Sequence, residues 1–246
     1  MRICIVTLAI GNQDYFDYCI PSILQYAKRS GCDFKYISER SEKGFLVHFE
    51  KWQIANVLDS YEFVLFLDAD VYVKIESPNF QDLLIKRNCV YGVLDSRNKK
   101  KIGDGGWGDN DLPILYKKFG KVKVEHKDYI NSGMFIIHRD YKDVFLQLKE
   151  LERDHRENFR DYKDFGEQTS LNYLLRKNSI PVFPLDIRWN DIWSHNPKSF
   201  VFHFGGCWGR NGRMWWNQDK ISKIKGLFPH VKKDKSWRKY PLRMIV

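Results

Sequence analysis

Residues 61–73, YEFVLFLDADVYV, decide how this chain is read. Positions 63–67 are an unbroken apolar run of aromatic and branched side chains, the make-up of a strand buried on both faces of a parallel sheet. The run stops at two carboxylates, Asp68 and Asp70. Spaced i, i+2, they project to one side of an extended backbone, and the carboxyl end of a parallel strand is where such sheets open on a ligand crevice. Two carboxylates so close beside an apolar strand repel each other and lose hydration, costs that a divalent cation removes. The pair reads as half of a metal site. The plain alternative is two acids ending a strand in solvent, since acidic residues are common in loops; the apolar run directly ahead of them favours the metal.

Upstream, residues 2–8 read as a strand, broken by Gly11, Asn12, Gln13 and Asp14. Ile20, Ile23, Leu24 and Ala27 recur at helical spacing, predicting a helix with Pro21 in its first turn and Gly31 at its end. A second strand is expected over 33–37 and a helix over 49–58. Strand, helix, strand, helix, strand opens a doubly wound, mainly parallel α/β sheet.

Downstream, Phe80, Leu83 and Leu84 mark a short helix and 89–94 a strand. Residues 95–128 carry Lys99, Lys100 and Lys101, then Gly103, Gly105, Gly106 and Gly108 among Asp104, Asp109 and Asp111, with at most one short helix near 112–119. So long a span of this composition predicts a mobile loop over the site. YINSGMFIIH, 129–138, reads as an apolar strand after an Asn-Ser-Gly turn. Val144, Leu148 and Leu151 stripe one helix, and Leu171, Leu174 and Leu175 stripe another over 166–176. Late strands are expected over 180–183 and 199–204, joined through Arg188, Trp189 and Asn190.

At 246 residues, 43% hydrophobic and 29% charged, the chain suits one soluble α/β domain with extensions. The apolar run over 3–10 is too short to span a bilayer, which makes a cytoplasmic protein the expectation. Five scattered cysteines with no C-x-x-C pair suggest reduced thiols rather than a disulfide framework or zinc knuckle. The formal charge of +10 is concentrated at the end, where residues 219–243 hold nine Lys or Arg against two Asp. We therefore read 1–215 as the domain and 216–246 as a basic extension or linker, suited to peripheral membrane contact or to a solvated arm.

The order of these motifs resembles that of glycosyltransferases with the GT-A (Rossmann-like) fold, most closely the glycogenin and galactosyltransferase-type family, family 8. IVTLAIGNQDY is similar to the family's nucleotide-binding strand, VLFLDADVYV to its D-x-D strand, YINSGMFIIH to its N-S-G strand, GEQTSLNYLL to its D-Q-x-x-L-N helix, RWN to a late turn, and FVFHFGGCW to its H-x-x-G segment. The resemblance implies a nucleoside diphosphate sugar, a UDP-sugar above all, as donor and a glycan, glycoconjugate or protein hydroxyl as acceptor, with no nucleic acid as partner. It implies Mn²⁺ or Mg²⁺ on Asp68, Asp70 and His203, an imidazole favouring manganese. Thr7, Leu8 and Tyr15 would border base and ribose, although the family's tyrosine falls one residue earlier. Lys51 would touch phosphate or nucleotide, against the alternative of a solvated helix face. Asn131, Ser132, Gly133 and Gly206 would lie along the donor, and Glu167 and Gln168 would face the sugar.

Two departures stand out. Glu167 replaces the usual Asp, and Gly209 stands where the family places a lysine on the diphosphate; Arg210 or Arg213 could supply that charge. Family 8 enzymes retain anomeric configuration, whereas an inverting enzyme would need a base, for which Glu167 or an acid of the 104–111 loop could serve. Trp208, Trp215 and Trp216 suit an acceptor platform or a core equally. Two rivals share some features: a haloacid-dehalogenase-type phosphatase, whose first motif is also a strand ending in D-x-D, and a non-catalytic basic nucleic-acid binder, which leaves the central carboxylates unexplained.

Overall fold

A computed structural model describes residues 1–85, 88–95, 107–158, 166–192, 194–205 and 217–239. Its centre is a six-stranded sheet in the order β2-β1-β3-β6-β5-β7. The strands are β1 (Ile3–Leu8), β2 (Asp33–Ile37), β3 (Phe63–Asp68), β5 (Val90–Leu94), β6 (Ile130–His138) and β7 (Val182–Leu185). β1 pairs in parallel with β2 and β3, and β5 with β7, while β6 runs antiparallel to both β3 and β5. The sheet is thus mainly parallel, with one reversed strand beside the central one.

The apolar run of β3 is buried on both faces, as its composition demands. Val64 and Phe66 join Val6, Phe135 and Ile137 in one core, while Phe63, Leu65 and Leu67 join Ile5, Met134 and Ile136 in the other. The first core is closed by residues of α2 (Ile54–Leu58), α3 (Trp107–Phe119), α4 (Asp143–Asn158) and α5 (Glu167–Lys177), and the second by residues of α1 (Phe16–Arg29).

Three local expectations need correction. The segment over 49–58 is a 3₁₀ helix, Val47–Gln53, before α2 takes over. Asn131, Ser132 and Gly133 are not a turn but belong to β6, extending it beyond the Leu67–Met134 pair into the site. Pro21 lies inside α1 rather than in its first turn, because the helix starts at Phe16, four residues ahead of Ile20 on the same apolar face. A proline has no N–H to bond the carbonyl four residues back. Here that carbonyl, Asp17 O, accepts from the backbone N–H of Asp234 at 2.9 Å. At the other end of α1, Gly31 adopts φ +64°, and the amides of Gly31 and Cys32 donate to Lys28 O and Ala27 O.

The basic tail is docked where it is described. Buried Asp17 accepts from Trp237 Nε1 at 3.0 Å and from Arg238 Nη2 at 3.0 Å. The last helix, α6 (Asn217–Leu227), packs Ile224, with Phe228 just beyond it, against Tyr18, Cys19, Phe202 and Phe204. Among the described residues no helix is long and apolar enough to cross a membrane, and Cys4, Cys19, Cys32 and Cys89 carry no disulfide.

Candidate functional site

β3 delivers Asp68 at its last position, opposite Leu8 of β1 in register. The chain then turns through Ala69 and Asp70 into a short strand, β4 (Val71–Val73). The turn, rather than strand alternation, brings the two carboxylates together. β4 pairs antiparallel with β8 (Val201–His203) as a separate two-stranded ribbon, setting His203 opposite Val71. Phe204 N donates to Asp70 O at 3.0 Å and closes the ribbon over the turn. An imidazole far away in sequence therefore lands beside Asp70: His203 Nε2 is 3.3 Å from Asp70 Oδ1 and 3.7 Å from Asp68 Oδ2. Ligand atoms of Asp68, Asp70 and His203 all lie within 4.8 Å of one another.

Hydrogen bonds fix which ring nitrogen faces the acids. The Gly133 amide donates to Asn131 Oδ1 at 2.9 Å, and a backbone N–H can only donate, so the Asn131 amide is oriented. Asn190 Nδ2 donates to the same oxygen at 2.8 Å, which turns Asn190 Oδ1 toward His203 Nδ1, 3.0 Å away. A carboxamide oxygen only accepts, so Nδ1 carries a proton and Nε2 is the nitrogen that faces both carboxylates. The other branch agrees: the Ser132 amide and Asn131 Nδ2 both donate to Gln168 Oε1, at 3.1 and 2.9 Å, and Gln168 Nε2 donates to Asp95 Oδ2 at 2.9 Å. Two acids around that nitrogen call for positive charge there, either a proton on Nε2 or a cation bound by its lone pair. The donor set, two carboxylates and one neutral imidazole, fits a divalent ion such as manganese.

Two glycines make room for the ring. A Cβ on Gly133 would lie 2.1 Å from His203 Cε1, and one on Gly205 would lie 3.0 Å from Nε2. Gly133 thus carries the His203 imidazole against its backbone.

Behind Asp68 lies a second charged group. Lys51 is 2% exposed, which rules out a solvated helix face. Its ammonium is 3.3 Å from Asp68 Oδ1 and 3.2 Å from Glu167 Oε2, and donates to Ser132 O at 3.0 Å. Burial works against the ammonium, but Asp68 and Glu167 outweigh it and hold the Lys51 pKa above the ordinary lysine value. Burial likewise pushes the Glu167 carboxyl up to about 7 despite the lysine. Its Oε2 accepts from Ser132 Oγ at 3.1 Å, whereas its buried Oε1 has no hydrogen-bond partner among the described residues. The longer side chain at this position does reach the group behind the site.

On the other flank stands a cation that sequence reasoning missed. Lys220 of α6 donates to Asp70 Oδ2 at 2.5 Å, with its ammonium 4.6 Å from the centre of the Tyr15 ring. Burial pushes the Asp70 carboxyl up, yet Lys220 and His203 hold it well below the usual carboxylate range. No motif marks Lys220 in a tail of many lysines. Asn190, in the late RWN turn, passes the orientation of Asn131 on to His203.

Of the nucleotide-side residues, Leu8 and Tyr15 border the acid pair; burial, then Asp70, pushes the Tyr15 hydroxyl far above its ordinary value. Thr7 is wholly buried, and its Oγ1 has no hydrogen-bond partner among the described residues. Gly206, Cys207, Trp208, Gly209, Arg210, Arg213, Trp215 and Trp216 lie outside the described residues, as does the loop over 96–106.

The model of the family described as Glycosyl transferase family 8 matches residues 12–205. No curated protein sequence matches the chain significantly. Among solved structures, a glycosyltransferase involved in the glycosylation of the major capsid of PBCV-1 superposes with a TM-score of 0.59 at 18% identity, over 92% of this chain and 100% of the other. The galactosyltransferase LgtC, solved with donor and acceptor sugar analogues, gives 0.53 at 15% identity over 96% and 99%. GlyE of Streptococcus pneumoniae TIGR4 gives 0.54 at 11% identity over 91% and 60%. At these identities the superpositions establish a shared fold, the GT-A fold of glycosyltransferases. The phosphatase and nucleic-acid readings find no support among these likenesses.

Proposed function

The chain belongs to glycosyl transferase family 8, and from that premise we propose that it is a metal-dependent transferase moving a sugar from a nucleoside diphosphate, UDP in the first instance, to a hydroxyl of a glycan, glycoconjugate or protein. The observation that carries this reading is the Asp68, Asp70 and His203 cluster, with His203 Nε2 aimed at both carboxylates. These three side chains are the ligands for Mn²⁺, or Mg²⁺. When bound, the ion supplies Lewis-acid neutralisation of the charge that develops on the departing diphosphate.

The chain's own residues do the rest. Leu8 and Tyr15, with Thr7 beneath them, border the base and ribose. Asn131 and Gln168 hold each other and Asp95, forming a fixed floor beneath the transferred sugar, with Ser132, Gly133 and Gly206 beside it. Lys51 balances Asp68 and Glu167 from behind, so that the acid pair keeps its spacing in the absence of ligand. Glu167, with one oxygen held by Lys51 and Ser132, acts on the sugar side of the site from a buried position. LgtC's capture with both donor and acceptor analogues supports a two-substrate site in the same fold.

Residues 1–215 form the catalytic unit and 216–246 a basic extension, whose exposed Lys232, Lys235 and Lys239 suit peripheral contact with an acidic membrane surface. The thiols without disulfides support a cytoplasmic location. The test is a screen of nucleotide sugars with Mn²⁺, read by nucleotide release. Turnover should appear with one nucleotide class, stop reversibly with EDTA, and vanish in Asp68→Asn and Asp70→Asn proteins that keep their fold. Wild-type turnover in either variant refutes the assignment.

A further inference from the structure

The site is close to electrical balance before any metal arrives. Around the acid pair stand three carboxylates, Asp68, Asp70 and Glu167, and two ammoniums, Lys51 and Lys220. Lys51 is sealed in the interior. Lys220 is different: it reaches in from α6, a helix outside the family-matched region, and its side chain is 13% exposed. Its direction is set by packing, since Lys220 and Ile224 are i, i+4 on one helix face and Ile224 is fully buried against Tyr18, Phe202 and Phe204. Phe228 anchors the end of the helix by stacking on Tyr72 of β4 at 4.0 Å between ring centres. The ribbon that presents Asp70 and His203 is therefore the surface on which the lysine's helix is seated.

Asp70 divides its two oxygens, Oδ1 facing His203 and Oδ2 facing Lys220. A divalent ion at Oδ1 would stand one carboxylate away from a fixed ammonium. The ion would also leave a group of near-zero charge with an excess of positive charge in a partly buried place. An anion at the same spot removes that excess, and a diphosphate carries enough charge to do so.

We infer that Lys220 makes divalent-ion binding conditional on the diphosphate: it disfavours the ion alone and favours the ion together with the anion. This rests on the donor-site reading above. Lys220 is thus a determinant of donor binding held outside the acid-imidazole trio, coupling two ligands through charge alone. The same contact keeps Asp70 in place through its Oδ2 oxygen.

The test is calorimetric titration of the full chain with MnCl₂, with and without UDP, for wild type, Lys220→Met, Lys220→Arg and Lys225→Met. Lys225 lies over Tyr18 on the same helix and removes an equal charge away from the acids. Thermal melts confirm that each variant is folded. Lys220→Met should bind Mn²⁺ alone on the order of tenfold more tightly than wild type, and the gain in Mn²⁺ affinity on adding UDP should shrink by a similar factor. Lys220→Arg and Lys225→Met should behave as wild type. Unchanged or weaker Mn²⁺ binding by Lys220→Met, or an unchanged gain with UDP, overturns the inference while leaving the donor site standing. Failure of wild type to bind Mn²⁺ even with UDP overturns the donor-site reading and this inference with it.

Discussion

Replacing Gly133 by alanine adds one methyl group and should disable the metal site. The added Cβ would lie 2.1 Å from His203 Cε1 and 2.6 Å from Nδ1, against an ordinary contact of about 3.5 Å between carbon atoms. The ring must retreat by about 1.4 Å to restore that contact. Gly205 also lies near the ring, where a Cβ would stand 3.0 Å from Nε2. A retreat of that size breaks the 3.0 Å bond to Asn190 that fixes the tautomer, and metal ligands tolerate displacements of only about 0.2 Å. Overpacking of this kind costs about 1–3 kcal/mol of stability, which a folded domain of this size survives. The affinity for Mn²⁺ in the presence of UDP should fall about 100-fold, read by calorimetry, with circular dichroism unchanged. Gly205→Ala, whose Cβ would sit 3.0 Å from Nε2, should cost less. Wild-type Mn²⁺ affinity in folded Gly133→Ala would refute the placement of the imidazole.

Three further outcomes follow from the charged groups and the amide relay. Lys51→Met leaves buried Glu167, and Asp68 beside it, without their cation and should destabilise the protein by about 3–5 kcal/mol in denaturant melts; a loss too small to measure would contradict the buried Lys51–Glu167 pair. The folded-state pKa of Glu167 is raised from 4.5 to about 7, so the folded chain binds the extra proton and stability is lost as pH rises from 4.5 through 7. The metal-free wild type should therefore lose about 3 kcal/mol across that window relative to Glu167→Gln, and parallel pH profiles for the two would refute it. Asn190→Ala removes the acceptor that keeps the proton on Nδ1; Mn²⁺ affinity should fall about 10–100-fold, and nitrogen NMR of the imidazole should show a mixture of tautomers rather than one. A single unchanged tautomer would remove Asn190 from the account.

Much of this architecture is legible in short-range pattern. The period of Ile20, Ile23, Leu24 and Ala27 marks α1, residues 33–37 are β2 without adjustment, and the apolar run ahead of Asp68 marks the central strand. The gathering of Asp68, Asp70 and His203 is likewise legible, because an acid pair after a buried strand and a histidine before two glycines are unusual contexts. What local pattern does not carry is partnership across the chain. The β4–β8 ribbon is three residues against three, too short to declare itself, yet it sets His203 beside Asp70. The start of α1 at Phe16 depends on a tail amide taking the carbonyl that Pro21 cannot serve. Asn131, Ser132 and Gly133 look like a turn by composition, and become strand because Gln168 of α5 accepts from the Ser132 amide. Lys51 looks like a helix-surface lysine until Asp68 and Glu167 are seen around it.

The central claim is that a divalent ion sits among Asp68, Asp70 and His203 and meets a nucleoside diphosphate there. Anomalous scattering at the manganese edge, from crystals grown with Mn²⁺ and UDP, measures this directly. The account predicts one strong peak within coordinating distance of a carboxylate oxygen of each aspartate and of His203 Nε2, with diphosphate density against its open side. A diphosphate bound with no peak there, or a peak coordinated by other residues, would contradict it.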